Sequence, residues 1–186
     1  GVRRVAVQPT LLLGGIEYER LLRVVQGCTG LCAATGKPLI AGQEDCEALA
    51  SAIMAEHPLV QEEALLLMGH GTEHAANHVY HALQEAFDKK GYRGFIGTVE
   101  GEPSFMDAVA RLTASASERA RLLPLMFVAG EHAKNDMAGE QEGSFLTCVR
   151  EAGISAHPVL RGLGESEAIR ALYVRRVETA LREVER

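Results

Sequence analysis

The chain has 186 residues, enough for one domain or two small lobes with a buried core. Its apolar fraction of 47% and charged fraction of 24% are those of a globular protein rather than a disordered one. With 19 Lys and Arg against 25 Asp and Glu, 5% aromatic residues and no Trp, it lacks the basic face and the stacking residues of a nucleic-acid binder. We therefore expect no nucleic-acid partner.

No apolar run approaches the roughly 18 residues needed to cross a bilayer, and no signal peptide is visible. We therefore expect no membrane partner and a cytoplasmic location. A periplasmic location stays open, because the chain begins at Gly1 and we expect an N-terminal portion to be missing. The cysteines include one close pair, Cys28 and Cys32, whereas a zinc ribbon needs two such pairs, so we expect reduced thiols.

Strand-like and helix-like segments alternate along the whole chain. In chain order, the predicted elements of the first half are strand Val2–Gln8, helix Gly14–Leu31, strand Lys37–Ala41, helix Glu44–Glu56, strand Glu63–Met68 and helix His74–Lys90. Those of the second half are strand Gly94–Val99, helix Pro103–Ala116, strand Arg121–Val128, a broken helix over Asp136–Ala152, strand Ser155–Val159 and helix Ser166–Glu185. This alternation predicts an α/β protein with a mostly parallel sheet that is covered by helices on both faces.

Metal-competent side chains follow three successive predicted strands. His70 follows the third strand, Glu100 the fourth and His132 the fifth. Neighbouring parallel strands bring their carboxyl ends together, and ligands of such sheets bind there. Two imidazoles and a carboxylate suit a divalent cation such as cobalt, nickel, iron or zinc, and three protein ligands leave coordination positions open for reaction. We therefore predict that these three residues bind a metal and are catalytic.

Each of these candidates has a rival interpretation. A histidine at a strand end is commonly a hydrogen-bonded loop residue. Glu102 and Glu131 are nearby carboxylates, and alternation along an extended segment lets only one of two neighbours face a cleft. Glycines flank His70, Glu100 and His132, and we expect them to give a flat, bulky ligand room to approach.

A second group of histidines has helical spacing. His74, His78 and His81 lie at positions i, i+4 and i+7, so they could bind a second metal or relay protons. The glutamate that directly follows the first histidine of a zincin motif is absent here. We therefore favour a solvated or partner-facing side of a helix.

Four segments carry a resemblance to a known family. They are Val2–Leu21, Leu65–Gln84 (LLLMGHGTEHAANHVYHALQ), Phe95–Phe105 (FIGTVEGEPSF) and Leu125–Glu140 (LMFVAGEHAKNDMAGE). Together they resemble the anaerobic, ATP-independent sirohydrochlorin cobaltochelatases, the CbiK family. The resemblance covers the whole chain but only the later part of a typical member. It implies a two-lobed chelatase fold, each lobe a mostly parallel sheet flanked by helices, with the tetrapyrrole between the lobes.

The resemblance also implies a division of the chain and a site. Residues 1–62 would be the remainder of an incomplete N-terminal lobe, residues 63–163 the C-terminal lobe with the metal site, and residues 164–186 a helix that packs back on the first lobe. His70 and His132, with Glu100 between them in the sequence, match the family's metal-binding and catalytic residues.

The function implied by the resemblance is insertion of cobalt(II) into sirohydrochlorin, or precorrin-2, in anaerobic cobalamin biosynthesis. Cobalt(II) is then the substrate metal and the tetrapyrrole the partner, with no ATP and no organic cofactor. Alternatives are insertion of iron or nickel into the same macrocycle, a non-catalytic carrier of metal or tetrapyrrole, and a zinc-dependent hydrolase. Whether the protein forms a homo-oligomer is left open.

Overall fold

The computed structural model of the chain describes residues 1–185 and confirms the predicted α/β class. The strands are β1 (Arg4–Val7), β2 (Cys32–Thr35), β3 (Glu63–Gly71), β4 (Gly94–Glu100), β5 (Arg119–Pro124) and β6 (Ser155–Pro158). The α-helices are α1 (Ile16–Gln26), α2 (Gln43–Glu56), α3 (His78–Lys89), α4 (Phe105–Ala114), α5 (Phe145–Glu151) and α6 (Glu167–Glu185). Short 3₁₀ turns cover Ala75–Asn77 and Leu163–Glu165, and a π-helical turn covers Ala133–Met137.

The strands form two parallel sheets. β1 and β2 make a two-stranded sheet, and the larger sheet has the order β4-β3-β5-β6. In the larger sheet Leu66 of β3 lies opposite Phe95 on one side and Leu122 on the other. After β3 the chain therefore adds β4 on one side of β3 and then β5 on the other side. Ligands of open parallel sheets bind at the carboxyl ends of strands beside such a switch.

The continuous apolar sequence of β3 reflects burial on both faces of the larger sheet. Leu65 and Leu67 belong to a core with side chains of α2 and α3, whereas Leu66 and Met68 belong to a second core with side chains of α4 and α5. All four side chains are fully buried. Each such burial contributes about 1.5–3 kcal/mol relative to an exposed side chain, so β3 is firmly anchored.

The small sheet is buried much less and is held by α6. Most residues of β1 and β2 are half-buried, and α1 has no buried residue. α6 contacts both strands; the Tyr173 hydroxyl donates to the Leu11 carbonyl at 3.3 Å, and Arg176 forms an ion pair with Asp45 of α2. Within residues 1–185 no helix, α6 included, is both long and apolar enough to cross a membrane. The predicted lobe boundaries stay a prediction.

The predicted strand Lys37–Ala41 is wrong, because this segment is a buried loop that follows β2. Leu39 and Ile40 are buried, and their N–H groups donate to the carbonyls of Leu11 and Leu12, both at 2.9 Å. Their hydrophobicity therefore reflects a loop that packs against the core, and the sequence pattern of a short strand looks the same.

Several element ends also differ from the prediction. β5 ends at Pro124 rather than Val128, because the next carbonyls accept hydrogen bonds from the segment before α6. α3 begins at His78 rather than His74, because a 3₁₀ turn precedes it. α1 ends at Gln26, earlier than expected, with a glycine as its C-cap.

Candidate functional site

The three predicted site residues come from three adjacent strands. His70 is the penultimate residue of β3, Glu100 is the last residue of β4, and His132 lies beyond β5 at the start of the π-helical turn. β3 continues to Gly71, past its predicted end at Met68, so the sheet itself holds His70.

The structure brings the two imidazoles together. The ring centroids of His70 and His132 are 4.9 Å apart, and the rings meet edge to face at 86°. His70 Nδ1 donates to the Gly71 carbonyl at 3.0 Å, and His132 Nδ1 donates to Asp136 Oδ2 at 2.5 Å. Carbonyl and carboxylate oxygens only accept, so each ring carries its hydrogen on Nδ1 and offers the lone pair of Nε2. Metal-binding histidines commonly have this arrangement.

Glu100 lines the same cleft but does not complete a cluster of three. It lies opposite Gly71 in the register of β3 and β4, one residue beyond His70. Neighbouring residues of a regular strand point to opposite faces, so this register directs Glu100 and His70 apart. Within residues 1–185, no group of three His, Cys, Asp or Glu side chains lies close enough together to hold a metal ion.

A cleft of about 560 Å³ opens beside His70 and Glu100. This volume is typical of sites for small organic ligands. One wall is the segment after β1, and its apolar lining residues are Leu11, Leu12, Leu13 and Ile16. Thr10 and Glu17 also line this side, and the other residues of the lining come from the chain at and just beyond the carboxyl ends of β3, β4 and β5 and from Tyr80 of α3. The cleft thus combines a mainly apolar wall after β1, called the apolar wall below, with a wall that carries His70 and Glu100, called the polar wall.

The glycines around His70 are required by packing inside the protein. A Cβ on Gly69 would collide with the ring of Tyr80, and a Cβ on Gly71 would collide with the carbonyl of Glu100. Gly71 also has a positive φ of 83°. The expected clearance for a flat ligand is therefore wrong at both positions. Gly130, near His132, has open space where a Cβ would lie.

Tyr80 supports the end of β3 from below the site. Its hydroxyl oxygen accepts the Gly71 N–H at 3.2 Å, and its ring is buried against Gly69. Burial raises the pKa of Tyr80, so the phenol stays neutral.

The rival carboxylates make other contacts. Glu131 accepts from Lys134 Nζ at 3.0 Å, and this hydrogen bond holds the pKa of Glu131 below its usual range. The Glu102 carboxylate accepts the Ser104 N–H at 2.9 Å at the start of α4. Both side chains thus have local structural partners.

Two polar residues of the site region were missed by the sequence analysis. Asn77 accepts the Thr72 N–H at 3.1 Å and donates to the Glu102 carbonyl, so it ties together the loops after β3 and β4. Asp136 contacts His132, although the sequence pattern placed it only at the start of a broken helix. The four-residue spacing from His132 to Asp136 was the available signal.

The second histidine group does not gather. His74 Nε2 contacts Glu19 Oε1 at 3.1 Å, which links the loop after β3 to α1. His78 Nδ1 donates to the Ala75 carbonyl at 2.8 Å, and His81 is exposed on α3. Within the described part of the chain these residues form no metal cluster.

Two solved structures have a similar fold. SirB from Bacillus subtilis, solved with Fe³⁺, matches with a TM-score of 0.61 and 17% identity over 97% of this chain and 73% of that chain. DR2241 from Deinococcus radiodurans, described as a multi-domain protein with structural similarity to chelatases, matches with a TM-score of 0.57 and 19% identity over 94% and 41%. These identities support the fold alone.

Sequence relatives confirm the predicted family. A sirohydrochlorin cobaltochelatase of Salmonella typhimurium is 36% identical over 184 residues, 97% of this chain and 70% of that protein. Sirohydrochlorin cobaltochelatase CbiKC of Nitratidesulfovibrio vulgaris is 34% identical over 183 residues, 95% of this chain and 65% of that protein. The sequence model of one family, described as cobalt chelatase (CbiK), matches residues 1–182. The chain therefore belongs to the cobalt chelatase (CbiK) family.

Proposed function

We propose that this protein is a cytoplasmic enzyme that inserts cobalt(II) into sirohydrochlorin, or precorrin-2, without ATP. The observation that carries the proposal is the pair of imidazoles, 4.9 Å apart, of which His70 lines a cleft with an apolar wall. Membership in the cobalt chelatase family and the names of two relatives support the metal and the macrocycle.

The two histidines receive the metal in this proposal. Nε2 of His70 and Nε2 of His132 bind the incoming cobalt(II), since imidazole suits cobalt and both Nδ1 atoms are already occupied by hydrogen bonds. Glu100, on the wall of the same cleft, adds negative charge that favours the cation. Two protein ligands leave coordination positions open for the pyrrole nitrogens.

The apolar wall receives the face of the macrocycle. Leu11, Leu12, Leu13 and Ile16 offer the surface on which a flat, conjugated ring can lie. The polar wall then faces the pyrrole nitrogens at the centre of the ring. Contact on both sides would position the reacting atoms, and such positioning lowers the barrier without an energy-rich cosubstrate.

The reaction needs an acceptor for two protons. Two N–H bonds of the macrocycle break as cobalt–nitrogen bonds form, and cobalt stays in the +2 state. A histidine that releases the metal regains the Nε2 lone pair and can accept a proton, which it passes to solvent. His70 and His132 are exposed, so this transfer is open to water.

The test is anaerobic absorbance spectroscopy without ATP. The protein is mixed with sirohydrochlorin and cobalt(II), both in excess over protein, beside a sample without protein. We expect many equivalents of metallated product per protein molecule. A spectral change that stops at one equivalent would contradict catalysis and favour a carrier. Parallel reactions with iron(II) and nickel(II) compare kcat/KM, and a higher value for either would contradict cobalt as the preferred metal.

A further inference from the structure

Asp136 lies in an unusual backbone segment next to His132. The π-helical turn over Ala133–Met137 is closed by a hydrogen bond from the Ala138 N–H to the Ala133 carbonyl, five residues earlier, at 3.1 Å. His132 precedes this turn by one residue, and the Asp136 carboxylate four residues later contacts it, with Oδ2 at 2.5 Å from Nδ1. π-Helical turns occur frequently at functional sites.

The polar side chains next to Asp136 in the sequence contact Glu131 and not the Asp136 carboxylate. Lys134 of the same turn bonds to Glu131 at 3.0 Å, and Asn135 also points to Glu131, at 3.4 Å. The cation of this segment therefore neutralises Glu131 rather than Asp136. The carboxylate of Asp136 is only partly exposed, with a relative side-chain accessibility of 41%.

We propose that Asp136 is a positioning residue that fixes the imidazole of His132 with its hydrogen on Nδ1 and its Nε2 lone pair toward the cleft. This inference rests on the proposed function and deepens it, because it assigns the group that prepares one of the two metal-binding nitrogens. His70 needs no such side chain, since the Gly71 carbonyl holds its Nδ1. The two rings thus reach the same tautomer by different means, one through the backbone and one through a side chain.

Because the acceptor for His132 Nδ1 is a side chain, the role of Asp136 can be tested by substitution. In Asp136→Ala and in Asp136→Leu the acceptor is gone, so the neutral His132 ring should become a mixture of tautomers and rotate more freely. Partners of this kind on metal-binding histidines are worth about 10–100-fold in metal affinity or activity. We expect kcat for cobalt insertion to fall by about that factor, with KM for sirohydrochlorin little changed, because the apolar wall is untouched.

The decisive readout is imidazole nitrogen NMR of the metal-free protein, with the signals of the neutral rings compared. We expect the wild-type His132 signal of a ring protonated on Nδ1, and averaged signals in both variants, while His70 is unchanged in all. Glu140→Gln, which removes an exposed carboxylate a short distance along the chain, is the matched control for charge and should behave as wild type.

An Nδ1-protonated His132 in Asp136→Ala or Asp136→Leu would overturn the inference, and so would wild-type kcat in either variant. Two substitutions are used so that the measurement survives if one of them does not fold. If the wild-type protein does not insert cobalt, the proposed function fails. The NMR comparison, made without metal or tetrapyrrole, still supports or overturns the role of Asp136.

Discussion

The two walls of the cleft are built in different ways. The wall at the ends of β3 and β4 rests on side chains that are fully buried, and its backbone is packed so closely that Gly69 and Gly71 have no room for a Cβ. The wall after β1 consists of half-buried leucines followed by α1, which has no buried residue. It is held by a few contacts, such as the one from Tyr173 to Leu11.

This difference assigns separate tasks to the two walls. Catalytic groups work best when rigid elements hold them; His70 belongs to β3, and His132 directly precedes the fully buried Ala133. Segments with little buried surface open at low cost in free energy, so the apolar wall is suited to admit a large, flat substrate. The metal-binding histidines therefore belong to the tightly packed part of the site, and the wall after β1 is the part that can move when the substrate binds.

The largest expected effect is loss of activity on removal of either imidazole. His70→Ala and His132→Ala should each lower the rate of cobalt insertion by about 10²–10⁴-fold, because each loses a metal ligand and a proton acceptor. Unfolding in urea should be nearly unchanged, since both side chains are exposed. His81→Ala, an exposed histidine on α3, is the control; an equal loss there would show that the effect is not specific to the pair.

The next effect tests the packing of the polar wall. Gly71→Ala forces a Cβ into the carbonyl of Glu100 at a φ of 83°. We expect the free energy of unfolding to fall by about 3 kcal/mol or more, as strain of this kind dictates. Gly130→Ala meets open space and should change it by less than about 0.5 kcal/mol. Similar values for the two variants in urea titrations would contradict the close packing.

A third substitution tests the apolar wall. Ile16→Ser removes apolar surface from the cleft and should raise KM for sirohydrochlorin about tenfold, which corresponds to about 1.4 kcal/mol of binding. kcat should change little. Val24→Ser, on the exposed side of the same helix, is the matched control and should leave KM unchanged. A fall in kcat alone in Ile16→Ser would show that this wall does more than bind.

A fourth, smaller effect tests how α6 is attached to α2 and to the loop after β2. Arg176→Ala removes the ion pair with Asp45 and a hydrogen bond to the Leu39 carbonyl at 3.2 Å. We expect the free energy of unfolding, measured by heat or urea, to fall by about 1 kcal/mol. Arg182→Ala, which loses a bond within α6 alone, should cost less. Equal losses would mean that the pair contributes nothing to the attachment.

The smallest effect is a pH dependence away from the cleft. Burial, together with the charge of Arg121, lowers the pKa of His57 below that of an unfolded histidine, about 6.5. As the pH falls below about 6.5, His57 binds a proton in the unfolded chain but not yet in the folded protein. The free energy of unfolding therefore decreases. His57→Gln should flatten this slope in urea titrations at several pH values. If the variant shows the same pH dependence of the free energy of unfolding, groups other than His57 cause that dependence.

The larger sheet and the strand-end histidines were predictable from the sequence. The run from Glu63 to Met68 is apolar at every position after the first, which only a strand covered on both faces explains well, and the structure has β3 there. His70 lies just after this run and His132 follows the neighbouring strand β5, so parallel pairing of the two strands brings the two histidines to the same edge of the sheet.

What the sequence did not reveal depends on contacts far along the chain. β2, with the sequence CAAT, has little hydrophobic pattern, whereas the buried loop after it does. The role of Gly71 is visible only from the position of Glu100 in the neighbouring strand. The pair of His132 and Asp136 has the i,i+4 spacing of helical neighbours, but the sequence pattern did not predict a helical turn at His132.

The central claim is that His70 and His132 hold the substrate metal jointly through their Nε2 atoms. A crystal grown anaerobically with cobalt(II) and measured at the cobalt absorption edge tests it most directly. The account predicts one anomalous peak about 2.1 Å from both Nε2 atoms, a distance typical of imidazole bound to a divalent metal. A peak at His74 and Glu19 instead, or cobalt bound to a single imidazole with the other turned away, would contradict it.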